Sequence, residues 1–183
     1  MVIETAPLAR KGFEDDIRMI DSSTRVVEVS GDPLACLTPI GRADRPPRLS
    51  PTLFVIGVDA RCVHTRSGFA ALLQSHKRSV PRIPSSVSHI IIVIHLADDL
   101  PDAWMSTRVH RWVLSIHRRM QRTRGIDADV AALFVNRSVS STLIAVRLEE
   151  LAQRPPGANP AAVLTLDEIR GQTIAQASTN DFI

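Results

Sequence analysis

The stretch SHIIIVIHL, residues 88–96, decides the fold of this chain. Ile90, Ile91, Ile92, Val93 and Ile94 are five β-branched residues in a row. A strand with one wet face alternates polar and apolar side chains. An unbroken β-branched run instead predicts a central strand covered on both faces, the kind found where helices pack on a sheet. The run is far too short to cross a membrane as a helix.

Working outward, residues 52–58 are rich in strand formers. Residues 61–65 are expected to pair with them across a tight turn at Asp59-Ala60. Ser67 is placed to cap a helix carrying Phe69, Leu72, Leu73 and Val80 on one face, ended by Pro81 and Pro84. Beyond the central strand, residues 130–135 predict another short strand, and 141–152 a helix through Ile144, Leu148 and Leu151. Thr165 and Glu168 have the spacing of a capping box for a last short helix, with a loose tail from Ser178 to Ile183. The expected class is α/β (α+β): a small mixed sheet with helices packed on it, core order β-β-α-β-α-β-α.

Three regions follow from the breakers. Five prolines and two glycines between residues 30 and 51 argue against regular structure, so 1–51 is expected to be an N-terminal extension and linker. Within it Phe13, Ile17 and Ile20 sketch a short helix and residues 25–29 a strand. Residues 52–152 form the expected core domain, and 153–183 a C-terminal extension with a short helix.

The strongest helical signal is residues 99–125. Met105, Val109, Trp112, Val113, Ile116 and Met120 recur at helical intervals on one side. Asp99 is placed to cap its start, Pro101 is tolerated in the first turn, and Gly125 suits the left-handed conformation that ends a helix. Arg108, Arg111, Arg118, Arg119 and Arg122 gather beside this apolar stripe, with His110 and His117 on its opposite border. From residue 61 to 124 there are 11 Lys or Arg against 3 Asp or Glu, a balance of +8. The whole chain carries +3, so the remainder carries −5. That asymmetry points to an anionic partner for the middle of the chain. Arginine outnumbers lysine 20 to 2, so the placement of the arginines says more than their identity.

Several chemistries lack their signatures. Gly57 stands alone after Ile56, without the further glycines of a phosphate loop, and no Gly-x-Ser-x-Gly elbow occurs. Asp127-Ala128-Asp129 reads as polar residues closing a turn before a strand. His89 and His95 share a strand face but stand about 20 Å apart, too far to hold one metal. Cys62 and His64 could converge on one face, yet a zinc site would need two more ligands, such as His76 or Cys36. No metal and no cofactor are expected. Two cysteines, no apolar leader in the first 16 residues and no membrane-length run point to a cytoplasmic protein with free thiols, away from the membrane.

The predicted order of hairpin, helix, central strand and helix over residues 52–136 resembles the GIY-YIG nuclease domain. In that family two tyrosines come from the hairpin, an arginine from the first helix, a metal-binding glutamate from the later helix and an asparagine from near the end. Here Leu53-Phe54-Val55 occupies the first motif, with Phe54 in the tyrosine's place, and Cys62-Val63-His64 the second. Leu72 falls where the arginine would sit, His110 is nearest the glutamate's place, and Asn136 matches. The chain contains no tyrosine. The resemblance therefore implies a non-nuclease relative, since no glutamate anchors the metal that would stabilise a phosphate transition state.

The expected function is non-catalytic binding of nucleic acid, chiefly the backbone of duplex DNA. Arg108, Arg111, Arg118, Arg119 and Arg122 would supply the contacts, with Arg66, Lys77, Arg78 and Arg82 extending the patch. Scarce aromatics disfavour single-strand or RNA recognition by stacking. The alternative is a protein-interaction or regulatory subunit, in which residues 30–51 and the tail after Gln153 wrap a partner or a second copy of the chain. An enzyme has the least support.

Overall fold

The computed structural model describes residues 26–38, 40, 51–77, 83–97, 101–125, 127–156 and 161–180. Their strands are β1 (Val26–Gly31), β2 (Pro51–Asp59), β3 (His89–His95), β4 (Asp129–Val135) and β5 (Ala162–Thr165). The helices are α1 (Arg66–Lys77), α2 (Ala103–Arg124), α3 (Ser141–Ala152) and α4 (Ile174–Asn180), with a short 3-10 turn at Ala35–Leu37. The chain is an α/β protein with one five-stranded sheet in the order β1-β2-β3-β4-β5, and every neighbouring pair is parallel.

β3 is the centre that its composition requires, and all seven of its residues are buried. Alternation sends Ile90, Ile92 and Ile94 to one face, in register with Phe54, Ile56 and Val58 of β2 and with Val130, Ala132 and Phe134 of β4. Phe69 and Leu73 of α1 and Val109, Trp112, Val113, Ile116 and Met120 of α2 cover that face. On the other face Ile91 and Val93, with Val55 and Leu133, lie under Ile144, Leu148 and Leu151 of α3, Ile174 and Ala177 of α4, and Leu34, Cys36 and Leu37. Each fully buried isoleucine contributes about 1.5–3 kcal/mol through removal from water.

The strand order follows the chain, yet α1 and α2 lie on one face and α3 on the other. The β4-α3-β5 crossover therefore has the opposite hand to the two before it, against the strong preference for one hand in such units.

The expected hairpin is absent, and the sheet is parallel rather than mixed. Residues 61–65 form a turn in which Val63 N–H donates to the Ala60 carbonyl at 3.0 Å. Of this stretch Val63 packs against the core, while Cys62, His64 and Thr65 are exposed, so the segment offers one buried side chain where a strand would offer a face. The turn ends where Thr65, not Ser67, caps α1 through Oγ1 accepting from Gly68 N–H at 3.1 Å.

The divisions expected at residues 51 and 152 do not follow the sheet. β1 pairs with β2 over its whole length, and β5 pairs with β4. Cys36, expected in a linker, is buried in the core, and burial raises its thiol pKa. Thr165 and Glu168 do bond, Oε2 accepting from Thr165 N–H at 2.6 Å, but in a turn after β5. The reciprocal box that starts the last helix is Thr173 with Gln176. Ser178, expected in a tail, is buried in α4 with its hydroxyl donating to Ile174 O.

α2 begins at Ala103 after Asp102, and Gly125 ends it with φ +64°, as its sequence requires. Pro101 precedes the helix instead of lying in its first turn. Asp99, Val80 and the helix sketched by Phe13, Ile17 and Ile20 lie outside the described residues.

Candidate functional site

The apolar stripe of α2 is pinned to the sheet, so its opposite flank is presented outward. Trp104, Arg108, Arg111, Ser115, Arg118 and Arg122 recur at alternating spacings of four and three residues, which places them on one side of the helix. Arg119 borders the same flank. The five arginines are exposed, and Arg108 to Arg122 spans about 21 Å along the axis. Among the described residues the ion pairs involve other groups, and none neutralises these five guanidinium groups.

Arg66 joins the stripe across the gap between two helices. Its guanidinium carbon lies 5.7 Å from the centroid of the Trp104 ring, and that of Arg108 lies 5.8 Å from the same ring. Trp104 is held in turn by an edge-to-face contact with buried Phe69, centroids 6.0 Å apart. Two cations within reach of one indole extend the positive surface from α2 onto α1. Nothing in the spacing of the sequence links residue 66 to residue 104. Lys77 is half-buried at the far end of α1, about 16 Å from Arg66. Arg78 and Arg82 lie outside the described residues.

A second cluster forms where the strands end. The crossovers leaving β3 and β4 run to opposite faces, and in open α/β sheets such divergence opens a crevice at the carboxyl edge. Asp59 and His95 end β2 and β3 in register. Arg61 grips Asp59 with two bonds, Nε to Oδ1 at 2.9 Å and a terminal nitrogen to Oδ2 at 2.6 Å. These bonds bring the carboxyl pKa down to about 2. Asp32, just past β1, accepts from Asp59 N–H at 2.8 Å, and its Oδ2 lies 3.3 Å from Nε2 of His76 on α1.

His95 is 7% exposed, and its Nε2 is buried without a hydrogen-bond partner. Burial lowers its pKa below the ordinary 6.5; the charge of Arg61 acts in the same direction, that of Asp59 against it, and that of Arg137 with it. The net effect favours the neutral form of the ring. Asn136 follows β4 and fixes the next turn, its Oδ1 accepting from the Ser138 N–H at 3.0 Å and hydroxyl at 2.7 Å.

Two further histidines tie elements of the scaffold together. His89 Nε2 donates to Arg154 O at 2.8 Å and its Nδ1 lies 3.4 Å from Asp129 Oδ2, tying the start of β3 to the end of α3. His117 Nδ1 donates to Ala128 O at 3.0 Å, locking α2 to the approach of β4. Asp127 accepts from Gln121 Nε2 at 3.2 Å in the turn expected of it. Cys62 and His64 share a turn instead of a strand face. Among the described residues no three His, Cys, Asp or Glu side chains are grouped to hold a metal ion. No described helix is long and apolar enough to cross a membrane. Comparison of the chain with protein-family models, with curated proteins and with solved structures returned no match.

Proposed function

We propose that this protein binds the phosphate backbone of duplex DNA along α2. The observation that supports this is the flank itself: five exposed arginines over about 21 Å, with no ion pair to an acid among the described residues. Unpaired guanidinium groups on a rigid helix are preorganised donors for phosphate oxygens, and binding there releases counterions. Arg66, held beside Trp104, widens the surface at one end.

Duplex fits better than single strand. Trp112 is buried, and Trp104 is engaged by Phe69 and two arginines, so neither tryptophan offers an open platform for stacking bases. The contacts are with backbone, so affinity should depend little on sequence.

The test is titration of a short duplex at several salt concentrations. Affinity should fall steeply as salt rises, and the double variant Arg111→Ala/Arg118→Ala should reduce the log–log slope by about 2 while the fold is retained. Unchanged slope and affinity in that variant would remove α2 from the interface, leaving the flank as a surface for a protein partner.

A further inference from the structure

We propose that the carboxyl edge of β3 and β4 is a second site, for a single phosphate group, held by His95, Arg137 and the first turn of α3. This site lies on the opposite face of the sheet from α2 and does not rest on DNA binding by that helix.

Three independent features converge there. His95 lies by alternation on the face that carries Ile91 and Val93, the face covered by α3. Its side chain is more than nine-tenths buried, and Nε2 has no partner, a costly state for a polar atom in a well-packed interior. The chain opposite His95 is Val135, which runs through Asn136, Arg137 and Ser138 into α3. The twelve-residue α3 starts at this same edge with no acid in its first turn, so nothing on the helix itself offsets the positive end of its dipole. Ser140 accepts from Leu143 N–H, leaving the N–H groups of Ser141 and Thr142 without partners inside the helix.

Arg137 supplies the charge. It is exposed, it forms no ion pair among the described residues, and its field reaches His95. Arg61 stands nearby but is already held by Asp59. The result is one free guanidinium, one imidazole donating as its Nε2–H tautomer and two helix N–H groups, a donor set that suits a phosphate oxygen cluster.

The experiment follows the His95 ring nitrogens by ¹⁵N NMR in the full chain. Inorganic phosphate and, separately, glycerol phosphate are added at constant ionic strength. A saturable shift of the His95 signals supports the site; preference for one probe tells a free ion from an esterified phosphate. Arg137→Ala should weaken binding by about tenfold to a hundredfold, the loss expected of a hydrogen bond to a charged group. Arg111→Ala/Arg118→Ala should leave it unchanged, which separates this site from the α2 surface. No saturable shift with either probe, or a shift that persists unaltered in Arg137→Ala, would overturn the proposal and leave Nε2 to an ordered water.

Discussion

Gly31 and Gly57 stand opposite each other in register, backbone against backbone. A Cβ on Gly31 would lie 2.3 Å from the Gly57 carbonyl oxygen, and Gly31 has φ +86°. A Cβ on Gly57 would lie 2.4 Å from the Asp32 carbonyl oxygen. Only glycine permits this close crossing, in which Asp32 N–H donates to Gly57 O at 2.9 Å. The crossing carries Leu34, Cys36 and Leu37 onto the sheet and brings the Asp32 carboxylate to Asp59 N–H.

Gly57→Ala is accordingly expected to destabilise the fold by about 1–3 kcal/mol, the usual cost of forcing extra atoms into a packed interior. Its obstacle is main chain, which cannot swing aside as a side chain does. Urea denaturation measures the effect as a lower midpoint. A neutral Gly57→Ala would mean that the segment after β1 is not held against β2.

Asp59 should make stability depend on acid. Its folded pKa lies below that of the unfolded chain, chiefly through the Arg61 hydrogen bonds, so its contribution is complete above about pH 4. That contribution is lost as the pH falls toward about 2. Asp59→Asn is expected to cost about 1 kcal/mol at neutral pH, a modest value because the pair is partly wet. The gap between the variant and the parent should close across that window in thermal melts.

His95 acts in a higher range. Its pKa is lowered in the fold, so it supports stability above 6.5, and that support declines as the pH falls below 6.5 and the unfolded chain takes up the proton. Comparison of melting temperatures at pH 7.5 and 5.5 should show a smaller drop in His95→Gln than in the parent. An equal drop would place the sensitivity in another group.

Removing residues 1–49 is expected to unfold the protein, because it deletes β1 and withdraws Leu34, Cys36 and Leu37 from the core. Loss of the cooperative transition in calorimetry is the predicted result. Ile92→Ala, in the fully buried centre of β3, should cost about 2–5 kcal/mol. A folded truncation would show that β2 can serve as an edge without its neighbour.

How much was legible in the chain varies with how local the cause is. The isoleucine run specified β3 because five β-branched residues can be buried only between two covered faces. The apolar spacing and Gly125 specified α2, and the spacing of Ile144, Leu148 and Leu151 specified α3 at Ser141–Ala152. These are effects of neighbours a few residues apart. The arginine flank was legible for the same reason, since a helix repeats its faces at fixed intervals.

Pairing was not legible. The β-formers at 52–58 could serve a hairpin or a parallel sheet, and pairing with β1 and β3 under α1 and α2 gives the latter. Residues 26–31 and 162–165 are short, and they became strands because β2 and β4 offered open edges to them. The same holds for the sites: Arg66 with Trp104, Asp32 with Asp59, and His95 with Arg137 are separated in the chain by tens of residues. What brings each pair together is a crossover and the face it takes. That choice is a sum over many distant contacts, written in no local pattern. The sequence by itself thus determined the class of the elements and the charge on one helix, and the tertiary structure decided the parallel order and the convergence of charged and polar groups at the carboxyl edge.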